Sequence, residues 1–146
     1  MAITQALADS FKKSLIDGDM DFRSAGGDTF KLALYTSDAT LNGTTAAYTT
    51  TEEIPASGQY SAGGGTLING GTSVATSTAI VDFQDISFTG VTISARGALI
   101  YNSSSAVTSN AAVAVLDFGS DKSVTSGTFT IQFPAFTTAA AIIRIA

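Results

Sequence analysis

The chain has 146 residues, a net charge of −5 and only 13% charged residues, with no cysteine, histidine or tryptophan. Alanine, serine, threonine and glycine (23, 17, 21 and 14 residues) make up about half of it, and the charged share is roughly half that of an ordinary soluble domain. Without His or Cys there is no Ser-His-Asp triad, Cys nucleophile, disulfide or ordinary zinc site, and seven Lys and Arg against twelve Asp and Glu give no basic footprint for nucleic acid.

The length suits one domain with a core of its own. The opening residues lack the basic and apolar regions of a secretion signal, and no run nears the roughly 18 apolar residues of a membrane span. The sequence therefore predicts a soluble protein with no membrane partner and no cofactor.

Residues 3 to 16 read as the one helix. Ile3, Leu7, Phe11 and Leu15 recur at spacing four, with Gln5, Asp9, Lys12 and Lys13 on the other face. Asp17-Gly18 supplies the stop, because glycine tolerates the left-handed conformation of a helix C-cap. A helix of about 14 residues is marginal alone in water and needs a surface to dock on. Asp17 to Asp28 is polar and carries three glycines. These features predict an arm over residues 1–22, free to pack on another subunit, followed by a β-domain over residues 23–146.

From Asp28 onward the texture is β. Thr29 to Thr36 places Phe30, Leu32 and Leu34 on one face, the period-two pattern of a strand. Further strands are expected at Ala46 to Thr51, Gly65 to Ile68, Thr78 to Phe83, Val91 to Tyr101, Ala111 to Phe118, Thr128 to Phe133 and Ala140 to Ile145. Asn42-Gly43, Asn69-Gly70-Gly71, Thr89-Gly90, Gly119-Ser120-Asp121 and Ser126-Gly127 read as the turns between them. Pro55 to Gly65 and Gly70 to Ser77 are rich in Gly, Ser and Thr, and read as long surface loops. The fold class expected is mainly β: a single antiparallel β-sandwich of jelly-roll type with one N-terminal amphipathic helix. Its core should hold Phe30, Leu32, Leu34, Ile80, Val81, Phe83, Val113, Val115, Leu116, Ile131 and Phe133.

Motifs that could carry chemistry are few. Asp17-Gly18-Asp19-Met20-Asp21 begins like a calcium loop, but position six is Phe22 rather than Gly and position twelve is Asp28 rather than Glu. It reads as an acidic turn, and no metal site is assigned. Asp82 with Asp85, and Asp117 with Asp121, fall just after strands and read as turn and cap residues rather than a glycosidase pair. Arg96 and Arg144 lie inside strand patterns, where each must face water, pair with an aspartate or enter an interface. Tyr60 sits in a glycine-rich loop, as an amphipathic contact residue would. The assembly residues expected are therefore Ile3, Leu7, Phe11, Leu15, Tyr60, Arg96 and Arg144.

Several segments together carry a resemblance: MAITQALADSFKKSLIDGDMDF, DTFKLALYTSDATLN, ARGALIYN, AVAVLDFGSDK, TFTIQFP and AIIRIA. They resemble a group of small proteins that tailed bacteriophages encode, commonly within their virion structural gene blocks. The resemblance spans most of the chain apart from Pro55 to Ser77. It implies a virion component without enzymatic activity and carries over no functional residue. Low charge suits broad contacts, since few charges need desolvating. The leading expectation is a capsid decoration (cement) protein that forms a trimer and binds the major capsid protein, or another virion protein, in the virion. The alternatives are a tail tube, adaptor or fibre-base subunit, and a carbohydrate- or receptor-binding module.

Overall fold

A computed structural model describes residues 2–146. The elements run β1 (Ala6–Leu7), α1 (Asp9–Asp17), β2 (Phe30–Tyr35), β3 (Gly65–Thr66), β4 (Asn69–Ala75), β5 (Thr78–Phe83), β6 (Ile86–Asn102), β7 (Ala111–Ile131) and β8 (Ile143–Ile145). They form two antiparallel sheets, a larger one in the order β1-β7-β6-β2-β3 and a smaller one in the order β4-β5-β8. The chain is a mainly β single domain of sandwich-like build with one short N-terminal helix, as its sequence leads one to expect.

The centre is the β6–β7 hairpin, flanked by β2, whose Phe30, Leu32 and Leu34 are fully buried. The two sheets meet over a run of phenylalanines. Phe22 stacks on Phe30 at 4.5 Å, Phe30 meets Phe83 at 5.6 Å, and Phe83 meets Phe133 at 5.7 Å. Of the expected core, only Val81, Leu116 and Phe133 are half-buried, and they pack against the rest.

β6 and β7 stay paired through places where turns were expected. Ala95 pairs with Lys122 and Gly97 with Asp117, so Phe118 to Asp121 bulge out opposite Arg96 alone. Gly119 takes φ +80° there, and Asp117 Oδ1 accepts both the Gly119 N–H at 2.9 Å and the Arg96 Nε–H at 3.0 Å. A second bulge sets Thr89 and Gly90 against Thr128. The glycines mark bulges within one long strand and not breaks between strands.

Two other segments depart from the expectation. Ala46 to Thr51 forms no strand and touches the sheet through an isolated bridge from Ala47 to Ala111. Gly70 to Ser77, expected as a loop, is most of β4 and its tight turn into β5, with Ala75 paired to Thr78.

The N-terminal segment is not a separate arm. Ile3 bridges Leu41, and β1 adds to the edge of β7 through Ala6 opposite Val115 and Leu7 opposite Ala114. The helix starts only at Asp9, after the Ala8 N–H has bonded the Val113 carbonyl at 2.9 Å. Phe11 is fully buried, edge-on to Phe22 at 5.9 Å. The spacing of four misled because residues four apart share a face on a strand as well as on a helix. The C-cap stands where expected. Gly18 at φ +81° ends the helix, and its N–H and that of Asp19 bond the Leu15 and Ser14 carbonyls.

Candidate assembly surface

The structure divides the seven expected assembly residues. Ile3, Phe11 and Tyr60 are buried in the chain's own core, Phe11 at the floor of a groove beside β8. Leu7 and Leu15 are half-buried and line a groove described below. Arg96 pairs with Asp117 across the large bulge and thereby fixes its shape. That hydrogen bond draws the Asp117 carboxyl below its ordinary value. Arg144 lies on β8, exposed, its guanidinium donating to the Thr138 carbonyl at 3.3 Å.

Tyr60 is buried for the same reason it looked exposed. Glycine next to it permits not a mobile loop but close approach of backbone to backbone. A Cβ on Gly64 would lie 1.8 Å from the Leu32 carbonyl oxygen, and one on Gly58 would lie 2.2 Å from the Gly90 carbonyl oxygen. Both residues also hold positive φ. The loop is thus drawn onto β2 and β6, carrying the tyrosine inward.

All four tyrosines converge around one carboxylate, an arrangement no sequence signal announced. Glu53 Oε2 accepts the Tyr48 hydroxyl at 2.6 Å. Its Oε1 accepts the Tyr60 hydroxyl at 2.8 Å and the Gly63 N–H at 2.7 Å. The Tyr60 oxygen in turn accepts the Leu34 N–H at 2.8 Å. Tyr101 donates to the Gly63 carbonyl at 2.6 Å, stacks on Tyr48 at 4.8 Å, and Tyr35 donates to the Thr49 carbonyl at 2.7 Å. Burial, reinforced by the Glu53 charge, pushes the Tyr35, Tyr48, Tyr60 and Tyr101 phenols up. Glu53 ties Tyr48, Tyr60 and Gly63 together, while the Leu34 N–H and the Tyr35 hydroxyl fasten the segment from Thr49 to Gly64 to β2 and the Tyr101 hydroxyl fastens it to β6. The cluster is a clasp, and it turns the tyrosines away from the surface.

The acidic residues are likewise committed locally. Asp17 pairs with Lys13, and Asp21 accepts hydrogen bonds from Arg23 Nε at 2.9 Å and Nη2 at 2.5 Å, which bring its carboxyl down to about 2. Asp28 Oδ2 accepts the Asp21 N–H at 2.9 Å and the amide of the buried Asn102 at 2.8 Å. Among the described residues no group of three or more acidic side chains is placed to hold a metal ion. Asp85 accepts the Phe133 N–H at 2.8 Å. Asp82 differs from these. It is buried, Oδ1 takes its neighbour Phe83's N–H, Oδ2 has no partner, and burial pushes its carboxyl up.

What remains for partners is an uncharged surface. From Ile54 to Val81 the chain carries no charged residue over 28 positions. Within it the β4–β5 hairpin projects, exposed on both faces from Thr72 to Ser77, with Val74 70% exposed. At the other edge of the same sheet, β8 and α1 enclose a groove of about 440 Å³ lined by Leu7, Phe11, Leu15, Ile16, Ile143 and Ile145, with Lys12 as its one charged residue. Its lips are apolar side chains left in water: Ile16 is 88% exposed and Ile145 55%. Among the described residues no helix is long and apolar enough to cross a membrane.

Set beside protein-family models, curated proteins and solved structures, the chain matches none of the three.

Proposed function

We propose that the chain is a non-enzymatic structural subunit of a tailed-phage virion: a decoration (cement) protein that self-associates and clamps neighbouring copies of the major shell protein. The observation that carries this reading is the uncharged stretch from Ile54 to Val81, with its exposed, projecting hairpin from Thr72 to Ser77. A lone soluble domain shields exposed strand edges with charge or proline, whereas an assembling subunit benefits from neutral contact surfaces that need little desolvation. The segments shared in texture with small phage virion proteins point the same way. The inward-facing tyrosines favour this reading over a sugar-binding module, which would present its aromatic rings to solvent.

The test is deletion of the gene from a phage that encodes this chain. Heads without the protein should release DNA at lower temperature, and on dilution at a higher salt concentration, than intact particles, and purified protein added back should restore them. Intact, equally robust heads lacking functional tails would move the assignment to the tail. Particles unchanged in both respects would refute a structural role.

A further inference from the structure

We propose that β4 of one copy adds to the free edge of β8 in a second copy, continuing the three-stranded sheet from subunit to subunit with Val74 seated in the groove between β8 and α1. The proposal rests on the reading of the chain as an assembling subunit, but not on where in a particle it sits. β4 and β8 are the two outer strands of one sheet, so each presents an unpaired row of backbone N–H and C=O groups. β4 has none of the usual guards: Asn69–Ala75 holds no charge and no proline. Its turn places Thr76 at φ +49° and Ser77 at φ +61°. The two-residue connection demands this backbone, yet it carries neither of the glycine or asparagine residues that tolerate it most readily. The chain thus keeps a strained, uncharged hairpin that is exposed from Thr72 to Ser77, past the point where Asn69 is tied to the Arg23 and Asp28 carbonyls.

The second copy is chosen because one chain carries both halves of the contact. A strand laid along β8 would aim alternate side chains at the face that Ile143 and Ile145 turn to the groove. On β4 the alternate set Gly70, Thr72 and Val74 contains a single large apolar side chain, Val74. One knob meets one groove. Charge also fits: copies of net charge −5 repel, and this contact keeps their acids out. Lys12 on the groove wall is paired with Asp9 at 3.0 Å, and Arg144 is engaged with Thr138. Because hairpin and groove are different surfaces, the contact is head-to-tail and forms a ring if the rotation closes.

Light scattering on size-fractionated full-length protein tests this. The wild type should be a multiple of 14.8 kDa. Val74→Asp and Ile16→Asp change side chains that are mostly in water, so circular dichroism and melting should match wild type while each variant alone falls to monomer. Mixed in equal amounts, the two variants should recover a species of two chains, because Val74→Asp keeps a sound groove and Ile16→Asp a sound hairpin. A monomeric wild type, variants that stay oligomeric, or a mixture that stays monomeric would each overturn the inference. A monomeric wild type would also remove self-association from the proposed function, whereas the place in the virion is read separately, from particles.

Discussion

Truncating Phe11 to alanine removes a ring that lies wholly inside the chain, wedged edge-on against Phe22 and joined through it to Phe30, Phe83 and Phe133. The lost burial and the cavity left behind cost about 3–5 kcal/mol for a buried phenylalanine. The edge-to-face contact is already part of that figure. Since domains hold together by only about 5–15 kcal/mol, the loss is a large part of the total. For a chain of this size it should lower the melting temperature by roughly 6–20 °C. Thermal unfolding followed by circular dichroism reads this directly, and a urea series gives the free energy independently. Residues 1 to 22 should be indispensable for the same reason, because β1 completes the edge of β7 and α1 supplies Phe11. A fall of under about 2 °C for Phe11→Ala, or a cooperative β transition in a chain lacking those residues, would mean that the N-terminal segment is an appendage after all.

Three more outcomes follow from the buried polar groups and glycines. Glu53→Gln keeps the shape but weakens three charge-assisted hydrogen bonds, to Tyr48, Tyr60 and Gly63. It should cost about 2 kcal/mol or more and speed amide exchange between Thr49 and Gly64, whereas unchanged exchange there would argue against a clasp. Asp82 binds its proton more tightly folded than unfolded, so its contribution is fully present below the ordinary carboxyl value of 3.8 and is lost as pH rises past it. Asp82→Asn should therefore stabilise near neutral pH, by about 1–3 kcal/mol, and gain nothing in acid; equal effects at both would show that ionisation is not the cost. Gly64→Ala should destabilise strongly, since the methyl group meets the Leu32 carbonyl and the backbone is at φ +79°; a soluble, wild-type-like melt would refute the close approach.

The strands that could be read in advance were those that bury apolar side chains. β2 shows its alternation through Phe30, Leu32 and Leu34, which are fully buried, and β5 shows an apolar run because Ile80 and Phe83 are both buried. β4 was illegible because both of its faces are wet from Thr72 onward, and a strand with no dry face has no period to read. Glycine was the second source of error. Gly90 and Gly119 signal bulges, and Gly58 and Gly64 signal backbone contact, yet all four are indistinguishable from turn glycines by composition. The site was less legible than the fold. Tyr35 and Tyr101 meet through the pairing of β2 with β6, and Tyr48, Glu53 and Tyr60 join them from an irregular segment that carries no period to read. The groove needs β8 beside α1, about 130 residues apart in the chain.

Counting copies of the chain in purified particles, by quantitative mass spectrometry against the major shell protein, tests the central claim most directly. A decoration protein that clamps the shell should be present in hundreds of copies, in a fixed ratio to the shell subunit. A handful of copies, or none, would contradict it.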